Sequence, residues 1–411
     1  MSDVWKDVPM ASPDMILQLV VDFKNDSDSK KVNLGVGAYR DEQGKPWVLP
    51  SVHQAIDRLH KDPNWDHEYL TLAGYQPFLE PSATLLFGKD SAALNEKRIS
   101  TNQMISGSGS VHIASEILAK YYQFPTDRKT IYVSDPTWPN HYPMLELAGL
   151  HPETYNYYHP DTFSLDFDGF KKSLKDAPNG SVFLMHACAH NPSGVDPTQD
   201  QWKELVKVFK EKKHFAFFDS AYQGFASGDP DKDAFAVRLF ESERVPMLVC
   251  QSFAKNTGLY GERIGALHFV LHDAKFAEQL QSQVNAQMRA ELSTCPAFGA
   301  RVVTLLLTDP EIHQQWLKDI KTMSGRIMEM RRGLYDLLVN KYKTPGSWEH
   351  ILKQIGMFSF LGLNRDQCDR LTNEGHIYLV KTSRISVAGL NPDNLDYVAS
   401  WIDKVVRGSK M

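Results

Sequence analysis

SVFLMHA at 181–187, HFAFFD at 214–219 and MLVCQS at 247–252 are short, dense runs of β-branched and aromatic residues. Two more runs of the same make are TIYVS at 130–134 and IGALHFV at 264–270. Between SVFLMHA and HFAFFD lies QDQWKELVKVFKEKK at 199–213, in which Trp202, Leu205, Val206 and Phe209 recur at helical spacing. Strand-length apolar runs alternating with amphipathic helices predict an α/β domain built on a mostly parallel sheet with crossover helices. After about residue 309 the pattern changes to long helical segments through 311–342. A Pro/Gly turn at 344–347 and short strand-like pieces at 357–363 and 376–387 follow, so a second, smaller domain is expected there. Asn391 and Pro392 read as cap and first residue of a last amphipathic helix carrying Leu395, Val398, Ile402 and Val405.

The bulk numbers fit this picture. A chain of 411 residues is too long for one small core, and 42% hydrophobic with 23% charged residues is ordinary globular usage. A net charge of −5 gives no basic surplus to attract nucleic acid or an anionic membrane, so small molecules are the expected partners. Cys188, Cys250, Cys295 and Cys368 are scattered with no CxxC spacing, which predicts free thiols. No apolar run reaches the ~18 residues of a spanning helix. The first seven residues lack both a signal core and the Arg/Ser-rich look of a transit peptide, so a cytoplasmic protein is expected, with a processed mitochondrial-matrix form as the alternative.

In an open α/β sheet ligands bind beyond the carboxyl ends of the strands. The polar residues that end the apolar runs are therefore candidates: Asp135 and Trp138, His186, His190 and Asn191, Asp219 and Tyr222, Ser252 and Lys255. Lys255 follows a buried run, where desolvation lowers an amine's pKa and makes it nucleophilic. Asp219 suits pairing with a protonated ring nitrogen, although capping of the next segment competes with that role. Ser106-Gly107-Ser108-Gly109-Ser110 precedes the helix-like stretch 111–122 and suits a phosphate, or is a plain turn. It is not a dinucleotide fingerprint, because His112 stands where the third glycine would fall.

The chain resembles the class I aspartate aminotransferases, fold-type I enzymes dependent on pyridoxal 5′-phosphate, nearly end to end. The resemblance is carried by Asn33-Leu34-Gly35-Val36-Gly37-Ala38-Tyr39-Arg40, His186-Ala187-Cys188-Ala189-His190-Asn191-Pro192, Asp219-Ser220-Ala221-Tyr222-Gln223-Gly224-Phe225 and Ser252-Phe253-Ala254-Lys255-Asn256, with Arg263 following. It implies a large domain at 48–308 with a mostly parallel seven-stranded sheet, a small α/β domain from 15–47 with 309–411, and an N-terminal arm at 1–14. It implies that Lys255 forms the Schiff base with the cofactor and shuttles the substrate proton. Asp219 would hold the pyridine nitrogen protonated, Tyr222 and Asn191 would bond the phenolic oxygen, and Trp138 would stack on the ring. Ser106, Gly107, Ser108, Ser252 and Arg263 would bind the phosphate, joined by Tyr69 from a neighbouring subunit. His141 and His186 would orient Asp219 rather than bind a metal.

By the same resemblance Arg384 clamps the substrate α-carboxylate with Asn191 and the backbone near Gly37. Arg289, from the other subunit, clamps the distal carboxylate. The implied reaction is reversible ping-pong transfer of the amino group of L-aspartate to 2-oxoglutarate, giving oxaloacetate and L-glutamate, in a homodimer with shared sites. Broader use of aromatic amino acids and a non-catalytic scaffold are the competing readings. The sequence departs from the common pattern at Ser108, Ser193 and Ser383, and at Thr294-Cys295-Pro296 after Ser293.

Overall fold

A computed structural model describes residues 4–408. Its centre is a seven-stranded sheet, with strands β1 (Ile99–Ile105), β2 (Thr130–Asp135), β3 (His151–Asn156), β4 (Val182–His186), β5 (Phe215–Ser220), β6 (Met247–Ser252) and β7 (Ile264–Val270). Their order across the sheet is β1-β7-β6-β5-β4-β2-β3. The pairs β2·β3, β2·β4, β4·β5 and β5·β6 are parallel, whereas β7 is antiparallel to both β6 and β1. Six strands thus run one way. Only IGALHFV departs from the parallel expectation.

The apolar runs are continuous because both faces of the sheet are covered. Along β5 the side chains alternate: Ala216 and Phe218 join one apolar cluster with Trp202, Phe209 and Phe240, while Phe217 joins a second with Val111, Ile117 and Val284. The crossover helix from β4 to β5, Gln199–Lys212, begins with a reciprocal cap between Thr198 and Gln201, and other helices flank the sheet. Those that matter below are α1 (Met15–Asn25), α2 (Ser106–Tyr121), α3 (Ala274–Glu291), α4 (Pro310–Asp336) and α5 (Pro392–Val406).

A third cluster joins Val32 and Leu34 near the N-terminus to Trp316 and Ile327 of α4 and to Val398 and Ile402 of α5. Asp309 caps α4 through the amides of Glu311 and Ile312, and Asn391 caps α5 as expected. Two short ladders complete this side: Val32–Asn33 runs parallel to Ile377–Tyr378, and Phe358–Phe360 runs antiparallel to Arg384–Ser386. All four cysteines are free and buried.

Candidate active site

The direction of the strands assembles the site. Strands β1, β2, β4, β5 and β6 end at one edge of the sheet, and the reversed β7 begins there, so Arg263 arrives at the same edge as Ser106, Asp219 and Ser252. A pocket of about 190 Å3 opens at this edge. From the sheet it is lined by Ser106, Gly107 and Ser108, by Trp138, by His186 and Asn191, by Asp219, Ala221 and Tyr222, and by Ser252, Lys255 and Arg263. The other wall comes from Gly37, Phe358, Arg384 and Ile16 of α1. Residues separated by up to 368 positions therefore share one small space.

Lys255 Nζ lies 5.6 Å from the centre of the Tyr222 ring. Burial pulls the amine below the ordinary lysine pKa and the Arg263 charge acts the same way, against the opposing pull of Asp219. Asp219 is 5% exposed at the end of β5. Burial alone would raise its pKa, but the hydrogen bond and charge of His141, with the charges of His186 and Lys255, hold the carboxyl below its usual value. It therefore presents a stable negative charge to the pocket. Burial pushes the Tyr222 hydroxyl well up, which keeps it a neutral hydrogen-bonding group.

Behind Asp219, His141 Nε2 stands 3.1 Å from Asp219 Oδ2, and His141 Nδ1 stands 2.8 Å from Thr137 Oγ1. His141, His186 and Asp219 bring their polar atoms within 4.8 Å of one another, a cluster with an acidic member that spacing in the chain did not announce. Both nitrogens of His141 are committed to protein partners, which favours an orienting role over metal ligation. Burial first, and then the His141 charge, lowers the His186 pKa to about 3, and neither of its ring nitrogens has a protein partner. His190 and Asp135, two other strand-end candidates, do not line the pocket. His190 is buried between Ser134 Oγ at 2.9 Å and Ser193 Oγ at 2.7 Å, and Asp135 is exposed.

The serine-glycine segment is the first turn of α2 itself, not a loop before a helix at 111. Its leading amides have no acceptor within the helix and form an anion-binding end. Ser106 holds a left-handed φ of +59° and its Oγ lies 3.1 Å from Ser252 Oγ. A Cβ at Gly107 would stand 3.2 Å from the Cβ of Ser252, so glycine keeps the backbone open to the pocket. Arg263, exposed and also left-handed at +52°, is steadied by donation to the Tyr260 carbonyl at 3.1 Å. Four residues with hydroxyl or amide donors, Ser106, Gly107, Ser108 and Ser252, line the pocket with the Arg263 guanidinium, a set suited to a phosphate, and Asp219 lines it as an acid suited to a ring nitrogen.

Arg384 is 4% exposed. It donates to the Gly35 carbonyl at 2.8 Å and weakly to Asn191 Oδ1 at 3.4 Å, its Nε has no protein partner, and its guanidinium lies 4.3 Å from the Phe358 ring centre. A buried cation with Nε unpaired and Nη1 only weakly engaged is suited to receive a carboxylate. The preceding Ser383 adopts φ +69°, which accounts for glycine in the common pattern; its hydroxyl offsets the strain by accepting the Leu363 amide at 2.9 Å. Ser193 likewise serves its site by bonding His190.

Two further predicted residues, besides His190 and Asp135, stay outside this pocket. Tyr69 is 83% exposed, and Arg289, exposed near the end of α3, donates to Ser293 Oγ at 2.5 Å. Conversely, Ile16 and Phe358 line the pocket although no sequence signal marked them, since an apolar residue carries no chemistry of its own. A broader surface groove beside Arg238 and Lys321 holds none of the predicted residues.

Comparison with known proteins agrees with this geometry. Residues 29–402 match the family model described as aminotransferase class I and II. The chain is 47% identical to the mitochondrial aspartate aminotransferase of Schizosaccharomyces pombe, over 98% of this chain and 91% of the relative. The cytoplasmic aspartate aminotransferase of Saccharomyces cerevisiae superposes with a TM-score of 0.96 at 45% identity, covering 99% of each chain. An aromatic-amino-acid aminotransferase from Burkholderia pseudomallei, solved covalently bound to pyridoxal phosphate, superposes at 0.94 with 36% identity, over 98% of this chain and 100% of its own. With its pocket at the carboxyl edge of the sheet and a family match spanning most of its length, the chain belongs to the class I and II aminotransferases.

Proposed function

We propose that the protein is an aspartate aminotransferase, which passes the amino group of L-aspartate to 2-oxoglutarate and releases oxaloacetate and L-glutamate in a reversible ping-pong cycle. The observation that carries this reading is the convergence of Lys255, Asp219 and the partly unsatisfied Arg384 in one pocket. Pyridoxal 5′-phosphate, on which the family depends, supplies an electron sink for the negative charge that develops at the substrate α-carbon.

The chain's own residues do the rest. Ser106, Gly107, Ser108, Ser252 and Arg263 hold the phosphate. Asp219, oriented by His141, would keep a proton on the ring nitrogen, Tyr222 and Asn191 would bond the ring's phenolic oxygen, and Trp138 would cover its face; His186, expected to share the orienting role, makes no hydrogen bond to Asp219. Lys255 would hold the cofactor through Nζ, and its neutral amine, once displaced there by the substrate's amino group, would remove and return the proton at the α-carbon. Arg384, with Asn191 and the backbone near Gly37, fixes the α-carboxylate so that this proton points at Nζ.

Tyr69 and Arg289 complete the site from a second copy, Tyr69 reaching the phosphate and Arg289 the distal carboxylate. Their exposure in a single chain supports a homodimer with shared sites. We retain the division into an arm at 1–14, a small domain of 15–47 with 309–411 and a large domain at 48–308: the apolar cluster joining Val32 to α4 and α5 groups the two parts of the small domain, and it continues into the large one through Leu49, Val52, Tyr222 and Leu306; residues 1–3 of the arm and 409–411 lie outside the described residues. Among the described residues no helix is long and apolar enough to cross a membrane. We place the protein in the cytoplasm, with the mitochondrial matrix as the alternative.

Purified protein mixed with pyridoxal phosphate should absorb in the visible and change colour on addition of aspartate; a colourless or unresponsive mixture sinks the proposal. Broader specificity is the second reading, favoured by the close superposition of an aromatic aminotransferase, and the kcat/KM ratio for aspartate over phenylalanine decides it. A mixed dimer, one chain lacking Lys255 and the other Arg289, tests the sharing of sites.

A further inference from the structure

Gln103 lies on β1, three residues before Ser106, and is fully buried. All of its polar groups outside the sheet ladder are spent on two segments that belong to neither the sheet nor the pocket. Its side-chain Oε1 accepts the Tyr75 amide at 2.8 Å, and its own amide donates to the Ala73 carbonyl at 2.8 Å. Its Nε2 donates to the Pro296 carbonyl at 2.8 Å, and its backbone carbonyl accepts Cys295 Sγ at 3.3 Å.

Each segment leads to an exposed residue of the shared site. Ala73 lies within, and Tyr75 directly after, a tight turn closed by Thr71 Oγ1 donating to the Gly74 carbonyl at 2.8 Å and by the Gly74 amide donating to the Thr71 carbonyl at 2.9 Å; Tyr69 is two residues before that turn. Cys295 and Pro296 follow Ser293, whose hydroxyl holds the Arg289 guanidinium. Contact at Gly74 is as close as backbone allows: φ is +106°, and a Cβ there would stand 2.2 Å from the Cβ of Gln103. A buried amide satisfied at both ends fixes geometry, because losing either bond strands a polar group.

From this arrangement we infer that Gln103 is a positioning residue that sets Tyr69 and Arg289 jointly, so that one side chain beneath a protomer's own phosphate turn governs what that protomer lends to the other copy. The inference rests on the shared-site reading above. It assigns Gln103 two effects at a distance, one on cofactor retention through Tyr69 and one on dicarboxylate selectivity through Arg289.

The test uses the full-length dimer and the near-isosteric Gln103→Met, which removes both side-chain bonds. Two readouts are taken: the dissociation constant for pyridoxal phosphate, from titration of the apoprotein, and the ratio of kcat/KM for aspartate over phenylalanine. Loss of a buried hydrogen bond on each arm should raise the first and lower the second by about tenfold. A folded Gln103→Met dimer with either readout within about twofold of the parent overturns the joint role. Should that variant fail to fold, Thr71→Val and Ser293→Ala loosen the arms one at a time. The first should weaken cofactor binding alone and the second selectivity alone, and either variant leaving its own readout unmoved overturns the inference. Tyr69→Phe and Arg289→Ala serve as controls. If they leave both readouts unchanged, the shared-site reading itself fails, whereas intact control effects with a silent Gln103→Met sink only the inference.

Discussion

Replacing Arg384 by lysine keeps the charge and removes the fork. In the structure the guanidinium uses one strong bond, 2.8 Å to the Gly35 carbonyl, and a weak one, 3.4 Å to Asn191 Oδ1, to fix its plane, and leaves Nε unpaired for a ligand. The ammonium of lysine is a single point donor on a flexible stem, so it satisfies Gly35 or one carboxylate oxygen well, but not a planar pair. One of two charge-assisted hydrogen bonds to the α-carboxylate is then lost, at about 1.5–3 kcal/mol. Arg384 is buried, so solvent screening does not discount that figure. At about 1.4 kcal/mol per decade, kcat/KM should fall roughly 10- to 150-fold. Because every amino acid has an α-carboxylate, aspartate and phenylalanine should lose alike. Single-turnover kinetics with each amino acid, followed by the cofactor's absorbance, measure the two constants, and thermal unfolding confirms that the variant is folded. A loss confined to aspartate, or none, would refute the assignment of Arg384 to the α-carboxylate.

Arg289→Ala should show the complementary pattern, costing ~2–5 kcal/mol for aspartate and 2-oxoglutarate as a charge pair buried between copies is broken, while phenylalanine is spared; an unchanged aspartate-to-phenylalanine ratio rejects it. Lys255→Ala should abolish amino transfer while leaving the fold intact, and borohydride reduction of the parent should label Lys255, as peptide mapping will show. The Lys255 amine titrates below the ordinary lysine value, so the apoprotein's reaction with pyridoxal phosphate should rise with pH through a midpoint below that value. Asp219 opposes that shift, so Asp219→Asn should move the midpoint lower still; a move upward contradicts the electrostatics. Asp26 accepts from the Asp28 amide and from Tyr378, and pairs with His376 at 2.7 Å, interactions that push its pKa down to about 2. A depressed folded-state pKa stabilises above the unfolded value of ~3.9 and is lost as pH falls towards the folded one. Asp26→Asn should therefore lower the thermal midpoint at pH 6 and approach the parent as the pH drops below 4, as calorimetry will test.

The strands were legible because burial on both faces makes them unbroken apolar runs, and Lys255 and Asp219 were legible because they close such runs. Direction was not. IGALHFV reads the same whichever way it points, and the only cue to its reversal is that 253–263 contains no helix long enough to cross the sheet. The sequence points to a start of α2 at 111, five residues late, because Ser-Gly-Ser-Gly-Ser has poor intrinsic helix propensity, which the surrounding packing overrides. Arg384 and Arg289 are charges among many, and only the resemblance of their flanks singled them out. Phe358 and Ile16 enter the pocket through tertiary packing that no local pattern encodes. Ser383 is instructive in another way: it was visible as a departure from the family, but its meaning lay in a backbone angle.

The reversal of β7 has a consequence for how this chemistry is held. Since β6 ends and β7 begins at one edge, everything between Ser252 and Ile264 stays on that rim and never passes to the far side of the sheet. The reactive amine and the arginine that anchors the phosphate thus travel on a single excursion of the chain, bounded by two neighbouring ladder strands. Residues 253–263 are held from outside the sheet as well, the Asn256 carbonyl accepting Trp316 Nε1 of α4 at 2.8 Å and the Tyr260 hydroxyl accepting the Tyr39 amide at 2.8 Å, so nucleophile and anchor are fixed as one unit.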